Sequence, residues 1–187
     1  MSERLLLVDE QDREIGVAGK LEAHRNGALH RAFSVLICDR QGQWLLQRRA
    51  PGKYHSAGLW ANACCGHPRP GEATEAAALR RLEEELGFRC ELKFVTKLIY
   101  RSKLDHDLIE HELVSLFVGR HDGSVEPDPE EADAIAWVEP LALAADLDSN
   151  PETYSVWLRR YVEELGVGFV EEPLTLSASP EQSGRDA

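Results

Sequence analysis

Glu83, Glu84 and Glu85 close a predicted helix within the stretch GHPRPGEATEAAALRRLEEELG, which runs from Gly66 to Gly87. Clustered carboxylates supply the hard oxygen ligands that Mg²⁺ takes, and Mg²⁺ in turn suits diphosphate substrates. Taken alone, such a run is equally a solvated acidic face. Glu110 and Glu112 lie two apart in an apolar strand, so both side chains share one face with Val114 and Leu116. Carboxylates on a face that otherwise turns apolar are costly unless paired or metal-bound. Cys64 and Cys65 are adjacent, so their thiols point oppositely if the segment is extended. One thiol can then serve a site while the other packs.

The elements that must hold these residues follow from pattern. Strands are expected at Leu5–Val8 and Glu14–Lys20. Two more, at Phe33–Cys38 and Trp44–Arg49, are joined by a turn containing Gly42. Leu59–Cys65 is a short strand leading into the Gly66–Gly71 loop, and Glu72–Leu86 is a helix with Gly87 just past its end. Leu92–Arg101, Leu108–Val118 and Ile135–Val138 read as strands, with Glu126–Asp133 as an acidic loop. Leu141–Ala145 reads as a short helix and Pro151–Leu165 as a long one, with Tyr154, Trp157, Leu158, Tyr161 and Val162 at helical spacing. Strands around a few helices, without strict alternation, predict an α+β fold.

The 187 residues suit a single domain, expected over residues 1–172, with the patternless stretch 173–187 as a mobile tail. The net charge of −12 argues against coating nucleic acid or an anionic membrane. It leaves room for a small anionic substrate met by a local basic cluster. No segment approaches the ~18 apolar residues that span a bilayer. The N-terminus does not read as a secretory signal, and four irregularly spaced cysteines make no disulfide scaffold, so a reducing cytoplasmic location is expected.

Gly66, Glu72, Arg80, Leu82, Glu84, Glu85, Gly87 and Phe88 fall at the positions of the Nudix box, a loop-helix-loop signature of diphosphate-handling enzymes. One position departs, because Arg81 stands where the box has Glu. In Nudix hydrolases that Glu belongs to the metal-binding set, so a cation there argues against hydrolysis. Other pieces are Lys20-Leu-Glu-Ala-His24, His30-Arg-Ala-Phe-Ser34, Arg48-Arg49 and Leu59-Trp60-Ala-Asn62-Ala-Cys-Cys65-Gly-His67-Pro68. Tyr100-Arg101, Glu110-His-Glu112 and Tyr154-Ser-Val-Trp157 follow. In this order, residues 4–165 resemble the type 1 isopentenyl-diphosphate delta-isomerase family of the Nudix superfamily.

The resemblance implies a Nudix-like fold of mixed β-sheets with flanking helices. It also implies interconversion of isopentenyl and dimethylallyl diphosphate through a tertiary carbocation, in isoprenoid precursor biosynthesis. An unactivated alkene is a feeble base, so the acid must be well placed and the cation kept from water. By resemblance, Cys65 and Glu112 transfer the protons, with Glu112, aided by Tyr100, as acid and the reverse order open. His24, His30, His67, Glu110 and Glu112 would hold Mn²⁺ or Zn²⁺, since an N/O donor set does not choose between them. Mg²⁺ would bridge the diphosphate to Glu85, with the Cys65 carbonyl nearby. Lys20, Arg49, Lys53 and Arg81 would clamp the diphosphate, where guanidinium groups bind phosphate oxygens bidentately. The Trp157 ring face would stabilise the carbocation, and Arg80 would serve helix packing. Cys64 is expected to pack, and His55, His106, His111 and His121, which match nothing, are expected on the surface. The competing readings are a Nudix hydrolase of a nucleoside diphosphate derivative and a metal-stabilised interaction protein with a Cys64-Cys65 redox sensor.

Overall fold

The computed structural model of the protein describes residues 3–170. The expected tail, 173–187, lies outside the described residues. β1 (Arg4–Val8) and β2 (Glu14–Gly19) form a hairpin, and the chain turns directly into α1 (Lys20–Asn26). β3 (His30–Cys38) and β4 (Trp44–Arg49) follow, then two short strands, β5 (Trp60–Asn62) and β6 (Cys64–Gly66). α2 (Thr74–Leu86) leads to the long strands β7 (Leu92–Lys103) and β8 (Ile109–Arg120), then to β9 (Ala132–Val138), α3 (Pro140–Ser149) and α4 (Val156–Leu165).

β3 is the hub of the sheet. It pairs antiparallel with β6 and parallel with β8 along its whole length, from His30 opposite Glu112 to Cys38 opposite Arg120. β7 pairs with β8, setting Tyr100 opposite Glu112. β4 carries β5 and β9. Parallel pairing buries both faces of β3, and each face has its own apolar cover. Phe33, Val35 and Ile37 meet Ala77, Ala78, Leu82 and Leu86 of α2. Ala32, Leu36 and Cys38 face the layer that contains Leu143 of α3 and Trp157, Leu158 and Tyr161 of α4. The period-2 alternation of one strand thus divides the core into two layers.

Two elements differ from the sequence reading. The strand expected over Glu14–Lys20 ends at Gly19, and α1 begins at Lys20 and stops at Gly27, whose φ of 60° is left-handed. The helix expected over Pro151–Leu165 is broken. Pro151–Thr153 form a 3-10 turn, Tyr154 is extended, and Ser155 caps α4. Tyr154 is therefore buried beside the helix rather than on its stripe. Among the described residues, no helix is long and apolar enough to cross a membrane.

α2 ends at Gly87, whose φ of 76° is left-handed and whose missing Cβ would stand 3.1 Å from the Glu126 carbonyl oxygen. An L-residue there suffers both strain and contact. Gly87→Ala should lower stability by about 1–2 kcal/mol, read as a lower midpoint in urea denaturation. An unchanged midpoint would show that this end of α2 tolerates a side chain.

Candidate active site

The cross-strand registers gather the chemistry into one place. Tyr100, Glu112 and His30 occupy neighbouring positions on β7, β8 and β3, and the Tyr100 hydroxyl donates to Glu112 Oε2 at 2.6 Å. Glu112 Oε1 lies 3.1 Å from His67 Nε2 and 3.7 Å from His30 Nε2. Glu110 and Glu112 continue the face of Val114 and Leu116 and are both buried. Burial would raise the Glu112 pKa, but the His30 and His67 rings hold it well below the usual carboxylate range. Glu110 is pushed up by burial and by its charged neighbour Glu112.

Three imidazoles converge here, with the potential ligand atoms of His24, His30 and His67 within 4.8 Å of one another. His24 Nδ1 bonds the Lys20 carbonyl and His30 Nδ1 the Ala28 carbonyl, each at 2.8 Å. A carbonyl only accepts, so each Nδ1 carries a hydrogen, and in the neutral ring Nε2 keeps the lone pair that a metal takes. Both Nε2 atoms, and Glu110 Oε2, are buried without a hydrogen-bond partner. His24 belongs with His30 and His67 in one ligand-capable group and with Glu110 in another. Buried acceptors left unpaired in this way are what a cation satisfies, and the donor chemistry fits an N/O metal site. Burial holds the His24 pKa down at about 4, which favours the neutral, ligating form.

His55 departs from the sequence expectation. It is buried rather than on the surface, its ring centroid is 6.1 Å from that of His24, and it forms a second ligand-capable group with His24 and Glu110. The Pro51–Gly58 turn folds it inward, edge-on to Trp157. His111 and His121 are half-buried, against the Gly27 carbonyl and the Phe88 ring respectively, and His106 is exposed as expected.

Cys65 faces the same space from β6. Its Sγ lies 2.9 Å from Ser34 Oγ, which in turn bonds the Tyr161 hydroxyl. Asn62 Nδ2 donates to the Val35 and Cys64 carbonyls, so Asn62 Oδ1 is left to accept from the Cys65 thiol at 3.2 Å. Burial pushes the Cys65 thiol up to about 12 against the pull of these hydrogen bonds. Cys64 points the other way, into the layer under α2, and packs as its position predicted. Both cysteines are free thiols on opposite faces.

His55, Cys65, His67, Tyr100, Glu110, Glu112 and Tyr161 line a cavity of about 770 Å³ that also takes in Lys20, Arg49, Lys53, Arg81, Glu85 and Trp157, with His24 and His30 buried behind its wall. Arg49 stands 5.2 Å over the Trp157 ring. Arg81 bonds Glu84, Glu85 and Glu131 at 2.8, 2.7 and 2.9 Å, and Lys53 also pairs with Glu131. Gln47 donates to the other oxygen of the buried Glu85. Arg80 bonds Glu72 and Glu84, which ties the box loop to α2. Glu131, Tyr161, Asn62 and Ser34 were not singled out from sequence. Only Asn62 and Ser34 carried a signal, standing within the motif pieces around Cys65 and His30.

Residues 28–165 match the family model for the NUDIX domain. A crystal structure of a Deinococcus radiodurans protein superposes with a TM-score of 0.74 at 22% identity, covering 87% of this chain and 98% of that one. The MutT protein of Methanosarcina mazei gives 0.61 at 20% identity over 78% and 95%. Fold and sequence model together define a Nudix-domain protein. Isopentenyl-diphosphate Delta-isomerase of Burkholderia multivorans is 50% identical over 167 residues, 89% of this chain and 95% of the relative. The enzyme of the same name from Serratia proteamaculans is 48% identical over 179 residues, 96% of this chain and all of the relative. The chain belongs to the isopentenyl-diphosphate Delta-isomerase family.

A thiol held this far up reacts only through its scarce thiolate. Inactivation by iodoacetamide should quicken about tenfold per pH unit from about pH 7 to 10, whereas an ordinary thiol levels off above pH ~8.5. A plateau near pH 8.5 would contradict the buried, hydrogen-bonded state of Cys65.

Proposed function

We propose that this chain interconverts isopentenyl diphosphate and dimethylallyl diphosphate, with Cys65 and Glu112 as the two proton-transfer groups. One observation carries the reading. Both line one cavity, where burial pushes the Cys65 thiol up and the His30 and His67 rings, against burial, hold Glu112 down, which favours a thiol beside a carboxylate. Moving an allylic double bond adds a proton at the terminal carbon and removes one from the carbon next to the CH₂O group. No net proton is consumed, so a site needs one donor and one acceptor on the two sides of the substrate. A pair that holds a single proton between them meets that need in either direction.

The remaining residues support the same chemistry. Tyr100 holds Glu112 in place and supplies a hydroxyl through which a proton can pass. The buried Trp157 offers a ring quadrupole to a tertiary cation, and it excludes water that would trap that cation. Lys20, Arg49, Lys53 and Arg81 form the positive side of the cavity, suited to the diphosphate. Arg81 puts a cation, paired with Glu84, Glu85 and Glu131, at the box position where a hydrolase carries one more metal-binding carboxylate. This supports isomerisation over hydrolysis.

His24, His30, His67, Glu110 and Glu112 are the residues that would hold Mn²⁺ or Zn²⁺, and Glu85 would hold Mg²⁺ delivered with the diphosphate. When bound, these ions supply positive charge that steadies the buried carboxylates and neutralises the diphosphate. The reading places the enzyme in a reducing cytoplasm, where the free thiol of Cys65 persists.

Incubation with isopentenyl diphosphate and Mg²⁺, followed by product analysis, tests the activity. Dimethylallyl diphosphate should form, and release of phosphate instead would overturn the reading. A single placed acid or base contributes about 10²–10⁴-fold. Cys65→Ser and Glu112→Gln should therefore each lower kcat by at least that range, while Cys64→Ala stays within about threefold of the parent rate. Near-normal turnover in Cys65→Ser would remove the thiol from the mechanism.

A further inference from the structure

Glu3 lies just before β1, outside every motif singled out in the sequence, yet its side chain lines the cavity. Its backbone carbonyl accepts the Lys20 N–H at 2.9 Å, and its Oε2 accepts from Lys20 Nζ at 2.8 Å. Its Oε1 stands 3.4 Å from His67 Nδ1. The other two rings of the trio each have Nδ1 anchored by a backbone carbonyl. His67, in the loop after β6, has no such carbonyl at its Nδ1 among the described residues. The acceptor there is Glu3.

We infer that Glu3 is a positioning residue for the donor cluster. Its carboxylate holds the Nδ1–H of His67, so that Nε2 is aimed at the point where His24, His30 and Glu112 converge. This inference rests on the metal reading of that cluster. A carboxylate on the remote nitrogen of a ligating imidazole sets its tautomer and orientation and raises its basicity. The same carboxylate clasps Lys20, whose own carbonyl anchors His24. The Glu3–Lys20 joint therefore braces two of the three imidazoles, one from each end.

The test is metal affinity, measured on the stripped full-length protein with Mn²⁺ and Zn²⁺ against a chelating dye. Glu3→Ala should weaken binding about 10–100-fold. Glu3→Gln keeps an acceptor oxygen for His67 and should recover most of that loss. His30→Ala, which removes a donor outright, is the control. If His30→Ala abolishes binding and Glu3→Ala stays within about twofold of the parent, the metal site stands and the role of Glu3 falls. A Gln variant as weak as the Ala variant would also overturn the acceptor role. If the unmodified protein binds neither ion, the metal reading fails and takes this inference with it.

Discussion

Glu110 and Glu112 are buried at the end of a strand face whose next residues are Val114, Leu116 and Val118. A buried carboxylate without partners costs several kcal/mol, so the surroundings must compensate. They do so from every side. Tyr100 comes from β7, His30 from β3, His24 from α1 and His67 from the loop after β6. The polar cluster is sited at the end of the β3–β8 pairing, where core packing gives way to cavity. Glu110 Oε2 and two ring nitrogens remain unpaired within it. A cation bound among them would complete the compensation.

The same sheet supplies the opposite wall. β6 is only three residues long, but its pairing with β3 sets Cys65 opposite Ser34. Ser34 belongs to the face that looks towards Tyr161, whereas Cys64 joins the layer under α2. Strand alternation thus separates a cavity-facing thiol from a packed one with no further device. α2 does its work from below. Leu82 and Leu86 bury its inner face, and Arg81 and Glu85 emerge at the cavity. The core and the site share the same few elements, so packing changes under α2 bear directly on Arg81 and Glu85 at the cavity.

Much of this was legible in the residues. α2 and its terminal glycine, the long strands β7 and β8, and the shared face of Glu110 and Glu112 follow from periodicity. Alternation put Cys64 and Cys65 on opposite faces, and the family resemblance chose Cys65 for the cavity. What stayed hidden was set by distance along the chain. The register of His30 against Glu112 joins segments about eighty residues apart, and no local pattern encodes it. α1 has seven residues, too short for helical periodicity to emerge, and its strand-like approach concealed it. His55 and Glu131 sit in polar loops that read as solvated. One is folded under Trp157, and the other is drawn in by Lys53 and Arg81. The break at Ser155 is local, but the apolar spacing of Tyr154 and Trp157 outweighed the serine cap in the pattern.

The account depends on two separate groups handling two separate protons, each exchangeable with water. Conversion of isopentenyl diphosphate in deuterated water, followed by NMR of the product, reads this directly. If the protons delivered and removed belong to different groups, as proposed, dimethylallyl diphosphate should carry solvent deuterium in a methyl group from the first turnovers. Product formed at full rate without deuterium would mean that one group carries the same hydrogen from carbon to carbon. That result would contradict the division of labour between Cys65 and Glu112.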